Sequence, residues 1–151
     1  MTAADAAAAA EIDRMAFSQP WGEADFQRYA EDANTVALVA GGTEPAKGSG
    51  AAGAVCGFVL LSCAADEGDI LKIAVHPDAR RRGVGGALTE AAIRTAQQLH
   101  GTERVFLEVR ESNTAAREMY RGCGFEEIGI RRNYYRDPAE DAVLMKWNAK
   151  D

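Results

Sequence analysis

Residues 70–88 read ILKIAVHPDARRRGVGGAL, an apolar run that stops at a proline and gives way to a helical pattern opening on glycines. The run 70–75 has the composition of a buried strand. His76-Pro77-Asp78 ends it, because proline fixes φ and removes a backbone donor. Arg80, Arg81 and Arg82 follow, then Gly83-Val84-Gly85-Gly86, and the helical pattern begins with Ala87 and Leu88. A helix that starts on such a turn is an anion site. Its first N–H groups have no intrahelical acceptor and its dipole favours negative charge. Glycines let a pyrophosphate approach the backbone closely, and the arginines add positive charge beside it.

Two common phosphate loops do not fit. A P-loop needs Lys-Ser/Thr after its last glycine, where this chain has Ala87-Leu88, and the dinucleotide fingerprint G-x-G-x-x-G/A meets Leu88 at its last position. The pattern that fits is Arg/Gln-x-x-Gly-x-Gly/Ala after a strand ending Ala-Val-x-Pro. Here that is Arg80-x-x-Gly83-x-Gly85 after Ala74-Val75-His76-Pro77. This string resembles the acetyl-CoA-binding motif of the GNAT superfamily of N-acetyltransferases.

The 151 residues are enough for one domain with a real core, and a single domain over 1–151 is expected. No apolar run approaches the roughly 18 residues of a membrane span. The start, MTAADAAAAAEIDRM, lacks the basic n-region of a secretory signal, so a cytoplasmic protein is expected. Cys56, Cys63 and Cys123 have no metal-like spacing and read as reduced packing residues. With only His76 and His100 besides, no metal site is expected.

The net charge of −6 is uneven: residues 1–75 carry 4 basic and 11 acidic side chains, residues 76–151 carry 13 and 12. Basic density is local, at Arg80–82 and Arg131–Arg132. That suits a small polyanionic cofactor better than a nucleic-acid face, which needs a broad basic patch. The acidic first half fits either attraction of a basic substrate or a solvated acidic surface.

Taken in order, 4–17 reads as a helix and Ser18-Gln19-Pro20-Trp21-Gly22 as its break. A shorter helix carries Ala24, Phe26, Tyr29 and Ala30, and 35–40 reads as a strand. The segment 41–54, GGTEPAKGSGAAGA, is a flexible loop by composition. Strand 55–63, polar turn 64–69 and strand 70–75 make an antiparallel pair. Helix 83–99 places Leu88, Ala92, Ala96 and Leu99 on one face, with Gly101 as its C-cap. In strand 104–109, Val105, Leu107 and Val109 point one way and Phe106 and Glu108 the other. Ser112-Asn113-Thr114 starts a helix by capping chemistry, which Gly122-Cys123-Gly124 stops. Strands 125–133 and 141–147, joined by 134–140, close the chain. The order α-α-β-β-β-α-β-α-β-β is an α+β fold: one mixed, mostly antiparallel sheet flanked by helices.

Glu108 is anomalous inside VFLEV, since a buried carboxylate costs several kcal/mol unless paired or hydrated. It is either an edge or ion-paired residue, or a general base whose pKa an apolar surround raises. Asn113 and Tyr120, seven apart, share one helix face. Asn113 can simply be an N-cap and Tyr120 simply core, or together they can line a groove beside the strand of Glu108.

The segment LEVRESNTAAREMYRGCGFEEIGIRRNYY resembles the C-terminal half of RimI-type N-terminal acetyltransferases. These have a Leu-Glu-Val-Arg-x-x-Asn strand–helix junction, a Tyr-x-x-x-Gly-Phe helix end and an Arg-Arg-x-Tyr-Tyr strand end. Together with 73–88 and, weakly, Pro20-Trp21, the resemblance covers roughly residues 20–147 outside the glycine loop. It implies the GNAT fold, with the central strands splayed. It implies that Ile73, Ala74 and Val75 pair with the pantetheine arm of acetyl-CoA, that Arg81, Arg82, Gly83, Val84, Gly85 and Gly86 cradle its pyrophosphate, and that Asn113 contacts CoA. Glu108 would be the base and Tyr120 the acid, with Trp21, Tyr134 and Tyr135 on the peptide side.

The implied activity is direct acetyl transfer to a protein N-terminus, typically the alanine of a small-subunit ribosomal protein. No metal, nucleic acid or membrane is involved, and the enzyme is expected to be a monomer or weak dimer. The alternatives are a GNAT enzyme for a small amine or a lysine, and a catalytically silent acetyl-CoA-binding module. Two features depart from the family. No counterpart of its short first strand precedes Ala4, and the 41–54 loop is long.

Overall fold

The computed structural model describes residues 1–41 and 54–150, so the expected loop at 41–54 lies almost wholly outside the described residues. Helix α1 (Ala3–Ala16) begins at once, with no strand before it among the described residues. Thr2 caps it reciprocally: its hydroxyl accepts from Asp5 N at 3.2 Å and its own N–H donates to Asp5 Oδ2 at 2.8 Å. After α2 (Glu23–Glu31) come β1 (Thr35–Gly41), β2 (Val55–Ala64) and β3 (Glu67–Val75), then α3 (Val84–His100), β4 (Arg104–Arg110), α4 (Thr114–Gly122), β5 (Glu126–Tyr135) and β6 (Glu140–Asn148).

The strands form one six-stranded sheet in the order β1-β2-β3-β4-β6-β5. All neighbours are antiparallel except β3 and β4, which α3 joins by a crossover and which run parallel. The turn expected at 64–69 is shorter. Strand pairing runs through Ala64 and Glu67, leaving Ala65, at φ 52°, and Asp66 as the turn. Glu67 and Asp69 alternate with the buried Gly68 and Ile70, and Arg104 holds Asp66 at 2.8 Å, so polar composition there marks one exposed face of a strand rather than a loop. The final hairpin differs likewise: β5 runs to Tyr135 and takes in both tyrosines of the expected connection.

Two apolar layers sandwich the sheet. On one face α3 and α4 bring Leu88, Ala92, Ile93, Ala96 and Tyr120 onto Val59, Leu61, Val105, Leu107, Val143 and Met145. Leu99, expected on that face, is 71 % exposed, and Ile93 fills the stripe instead. On the other face Ala6, Ala9, Ala10 and Ile12 of α1 and Phe26 of α2 meet Phe58, Leu60 and Ala74. The small alanines let α1 lie close to the strands. Phe58, Val59, Leu60 and Leu61 of β2 are all fully buried, to both sides, and such side chains contribute about 1.5–3 kcal/mol each to stability. These first helices pack on β1, β2 and β3. That offset decides the environment of the catalytic candidate.

Candidate active site

The sheet opens at its centre. β3 and β4 pair only through Glu67, Gly68 and Asp69 with Arg104, Val105 and Phe106. Beyond Asp69 the strands diverge, although β3 continues to Val75 and β4 to Arg110. Ile73, Ala74 and Val75 remain bonded to β2, opposite Val59, Phe58 and Gly57, while their other backbone edge faces the gap. A strand edge with unused donors and acceptors is a place for an extended amide chain to pair. Arg80 Nε donates to one such acceptor, the Val75 carbonyl, at 3.2 Å.

The turn after β3 is built locally. His76 N–H donates to Cys56 O at 2.7 Å, and Pro77–Ala79 makes a short 3-10 turn. Arg81 at φ 65° and Gly83 at φ 77° then reverse the chain into α3, which starts at Val84. Arg81, Arg82 and Gly83 are exposed, and Val84, Gly85 and Gly86 are half-buried. The glycines serve different ends. Gly83 is needed for its left-handed backbone, with nothing within 4 Å of where a Cβ would sit. At Gly85 a Cβ would lie 3.5 Å from Met119 Cε and 3.8 Å from Val75 Cγ2, so this glycine also seats α4. The expected string therefore forms one turn whose first helical N–H groups, arginines and exposed backbone suit a pyrophosphate.

Asn113 does cap α4, its Oδ1 accepting from Ala116 N at 3.2 Å. The cap leaves the amide NH2 available as a donor, so cap and ligand contact are compatible.

Glu108 lies on β4 opposite Leu144 of β6, pointing away from Leu107 and Val109 as the alternation predicts. The apolar surround that one of its two readings requires is absent, and an arginine stands beside it. Its side chain is 34 % exposed, because α1 and α2 cover β1, β2 and β3 and leave this part of the sheet open. Its partners are polar: Tyr134 donates to Oε2 over a long 3.4 Å, and Arg131 Nη1 is 3.7 Å from Oε1. The carboxylate is thus accessible at the surface of an open face beside the gap.

Tyr120 is in a different setting. It is 5 % exposed, within the α3–α4 layer, and its ring meets Phe125 edge-on at 5.6 Å. Burial, with smaller contributions from Tyr135 and Cys123, pushes its hydroxyl pKa well up, so it is a proton donor across the neutral range. Glu108 and Tyr120 stand on opposite faces of the sheet and share no hydrogen bond among the described residues. Tyr135 lies within electrostatic reach of both, its own pKa pushed up to about 12 by burial and then by Tyr134 and Glu108. The rings of Tyr134 and Tyr135 meet edge-on at 5.0 Å, which puts both beside Glu108. Trp21 stacks on Tyr29 at 5.0 Å, and its backbone N–H donates to Asp13 Oδ2 at 2.7 Å.

Three residues were not singled out in the sequence. Arg110 ends β4 and clamps the β5–β6 connection, donating to Arg136 O and Pro138 O at 2.9 Å each and lying 4.5 Å over the Tyr135 ring. Asp13, fully buried, accepts from Lys72 Nζ at 2.6 Å. The signal for Asp13 was a lone carboxylate in the apolar IDRMAF run, and for Arg110 its place directly after VFLEV. Burial raises the thiol pKa of Cys63 and Cys123, which disfavours either as a nucleophile. Among the described residues no three His, Cys, Asp or Glu side chains converge as a metal site, and no helix is long and apolar enough to cross a membrane.

The gap between the parallel central strands is flanked by the arginine–glycine turn and by the Asn113 cap. Residues 6–125 fit the family described as Acetyltransferase (GNAT) family. The chain belongs to the GNAT acetyltransferase family. Among curated GNAT relatives, the [Ribosomal protein bS18]-alanine N-acetyltransferase of Escherichia coli (strain K12) is 35 % identical over 148 residues, covering 93 % of this chain and 89 % of that one. A Bacillus subtilis (strain 168) protein named as a putative enzyme of the same kind is 31 % identical over 136 residues, covering 89 % and 83 %. A crystal structure of the ribosomal-protein-S18-alanine N-acetyltransferase from Escherichia coli superposes with a TM-score of 0.81 at 32 % identity, covering all of this chain and 92 % of the other. The expected GNAT fold, with its mixed sheet and splayed centre, is therefore the observed one.

Proposed function

We propose that this GNAT acetyltransferase moves an acetyl group from acetyl-CoA to the α-amine of a protein N-terminus, and that its substrate is the N-terminal alanine of a small-subunit ribosomal protein of the bS18 type. A substrate of that kind would place the enzyme in the cytoplasm. The observation that carries the reading is the position of Glu108, an accessible carboxylate on an open face beside the unpaired edge of β3. The long relationship to the bS18-alanine enzymes supports the choice of substrate.

Acetyl-CoA, when bound, supplies a thioester carbon activated for attack by an amine. The residues present fit it. The free edge of Ile73, Ala74 and Val75 has amide donors and acceptors for the pantetheine arm. Arg81, Arg82 and the N–H groups of Val84, Gly85 and Gly86 suit the pyrophosphate, and Asn113 offers its amide NH2. A backbone N–H at Val75 would hold negative charge developing on the carbonyl oxygen. Glu108, directly or through water, takes the proton lost by the amine as the C–N bond forms. Tyr120 gives a proton to the departing thiolate as the C–S bond breaks, a role suited to a phenol that stays protonated. Tyr134 and Tyr135 would meet the acceptor peptide beside Glu108, with Trp21 on its α1–α2 side.

The test is a panel of peptides differing in the first residue, incubated with acetyl-CoA and the enzyme and read by mass. Acetylation at the α-amine, strongest with alanine first, is the expected result. Transfer confined to lysine side chains or to small amines would overturn the reading.

A further inference from the structure

Glu108 already has a resident cation. Arg131 Nη1 lies 3.7 Å from its Oε1, and the same guanidinium sits 5.2 Å over the ring of Tyr134, whose hydroxyl reaches Oε2. The sheet register makes this possible. Glu108 stands opposite Leu144, and Leu144 opposite Gly129, so no β5 side chain rises in that row. Arg131, two residues further along β5 and opposite Ala142, leans across the vacant place to the carboxylate. Other charged or titratable groups border the site. Tyr134 and Tyr135 come from the end of β5, Arg110 from β4 and Glu140 from β6, these two ion-paired at 3.3 Å, and Lys146 of β6 lies 5.7 Å over Phe106. Among the described residues, the cation that meets the carboxylate directly is the Arg131 guanidinium.

A bare carboxylate on an open face attracts any ammonium and can deprotonate it in place, which favours a lysine as much as an N-terminus. A carboxylate that already has a guanidinium partner offers an incoming ammonium no unbalanced charge, and the guanidinium repels it. An amine that arrives neutral feels neither effect. At pH 7.5 roughly a third of α-amines are neutral, but only about one lysine in a thousand. We infer that Arg131 is a specificity-determining residue, which by occupying Glu108 excludes protonated amines and so restricts transfer to the α-amine. The inference rests on the N-terminal reading proposed above and says how this chain enforces it.

The experiment uses one peptide with a free N-terminal alanine and an internal lysine, and the same peptide with its α-amine blocked. kcat/KM for each is measured by mass for the wild type and for Arg131→Gln, Arg131→Met and Arg131→Lys. Thermal melts and acetyl-CoA titrations run alongside. Two neutral variants guard against one failing to fold, and Arg131→Lys keeps the charge. The expected result is that Gln and Met each raise the lysine-to-α-amine ratio of kcat/KM at least tenfold. Lys should stay near the wild-type ratio, and acetyl-CoA affinity should hold throughout. A wild type that prefers the α-amine, with a ratio unmoved in folded Gln and Met variants, overturns this inference alone. So does a Lys variant that behaves like Gln. A wild type that prefers the blocked peptide overturns the N-terminal reading and this inference with it.

Discussion

Lys72 Nζ lies 2.6 Å from Asp13 Oδ2 across 59 residues of sequence, with the ammonium 4.5 Å from the rings of both Phe17 and Trp21. The pair ties α1 and the segment after it to β3, the strand beside the gap. Asp13 is fully buried, and among the described residues its Oδ1 has no hydrogen-bond partner. Breaking such a pair is costlier than removing it. Lys72→Met should destabilise the protein by about 3–5 kcal/mol, because it leaves a buried carboxylate alone, while Asp13→Leu with Lys72→Met should recover most of that. Urea denaturation of the single and double variants measures both.

The two candidate proton carriers should govern rate rather than binding. Glu108→Gln and Tyr120→Phe are each expected to lower kcat about 10²-fold or more, with acetyl-CoA affinity by calorimetry little changed. Near wild-type turnover in either would remove that residue from the mechanism.

The raised pKa of Tyr120 also has a stability consequence. Its folded value lies above the unfolded value of about 10. Its contribution is therefore complete below pH 10 and falls as pH rises past it, where the unfolded chain releases a proton that the folded chain keeps. Tyr135, pushed up to about 12, acts in the same direction. Wild-type urea midpoints should drop between pH 8 and pH 10.5, and Tyr120→Phe should show a smaller drop.

Asn113 separates capping from ligand binding. Asn113→Asp keeps a side-chain oxygen for the Ala116 N–H and should hold stability within about 0.5 kcal/mol. It also replaces the amide donor with negative charge, so acetyl-CoA affinity should fall. Asn113→Ala should lose about 1 kcal/mol of stability as well. Equal acetyl-CoA affinity in the wild type and Asn113→Asp would place the cofactor away from α4.

Charge at the glycine turn offers a parallel check. Gly85→Glu should abolish acetyl-CoA binding by setting a carboxylate at the pyrophosphate position. Gly85→Ala, whose methyl would make ordinary contact with Met119 and Val75, should keep most of it. Calorimetry on folded variants distinguishes the two.

What could be seen in the sequence was local. The proline stop, arginine run and glycine start are one continuous string, and they form one continuous turn. Alternation in VFLEV assigned faces correctly because side-chain direction follows the backbone alone. Whether a face is covered does not. Alternation left open whether Glu108 lies among apolar groups or is ion-paired, and it is accessible beside Arg131 because α1 and α2 lie over β1, β2 and β3, a placement set by contacts between Phe26, Ala9 and Phe58 that no spacing encodes. Leu99 is wrong for a related reason, since the last turn of α3 runs past the edge of the layer it packs on. Asp13–Lys72 and Glu108–Arg131 are pairings between distant strands and helices, and sequence offers only the unpaired halves.

The brief contact between β3 and β4 also divides the molecule mechanically. Among the described residues, strand pairing between the β1-β2-β3 group and the β4-β6-β5 group is confined to three residue pairs at one end. In hydrogen exchange the two strand groups are expected to behave as separate cooperative units. A thioester ligand lying along the open edge of β3 would act as a splint between them. Saturation should then slow exchange at β3 and β4 together and raise the melting temperature with ligand concentration, so occupancy could be followed without waiting for turnover.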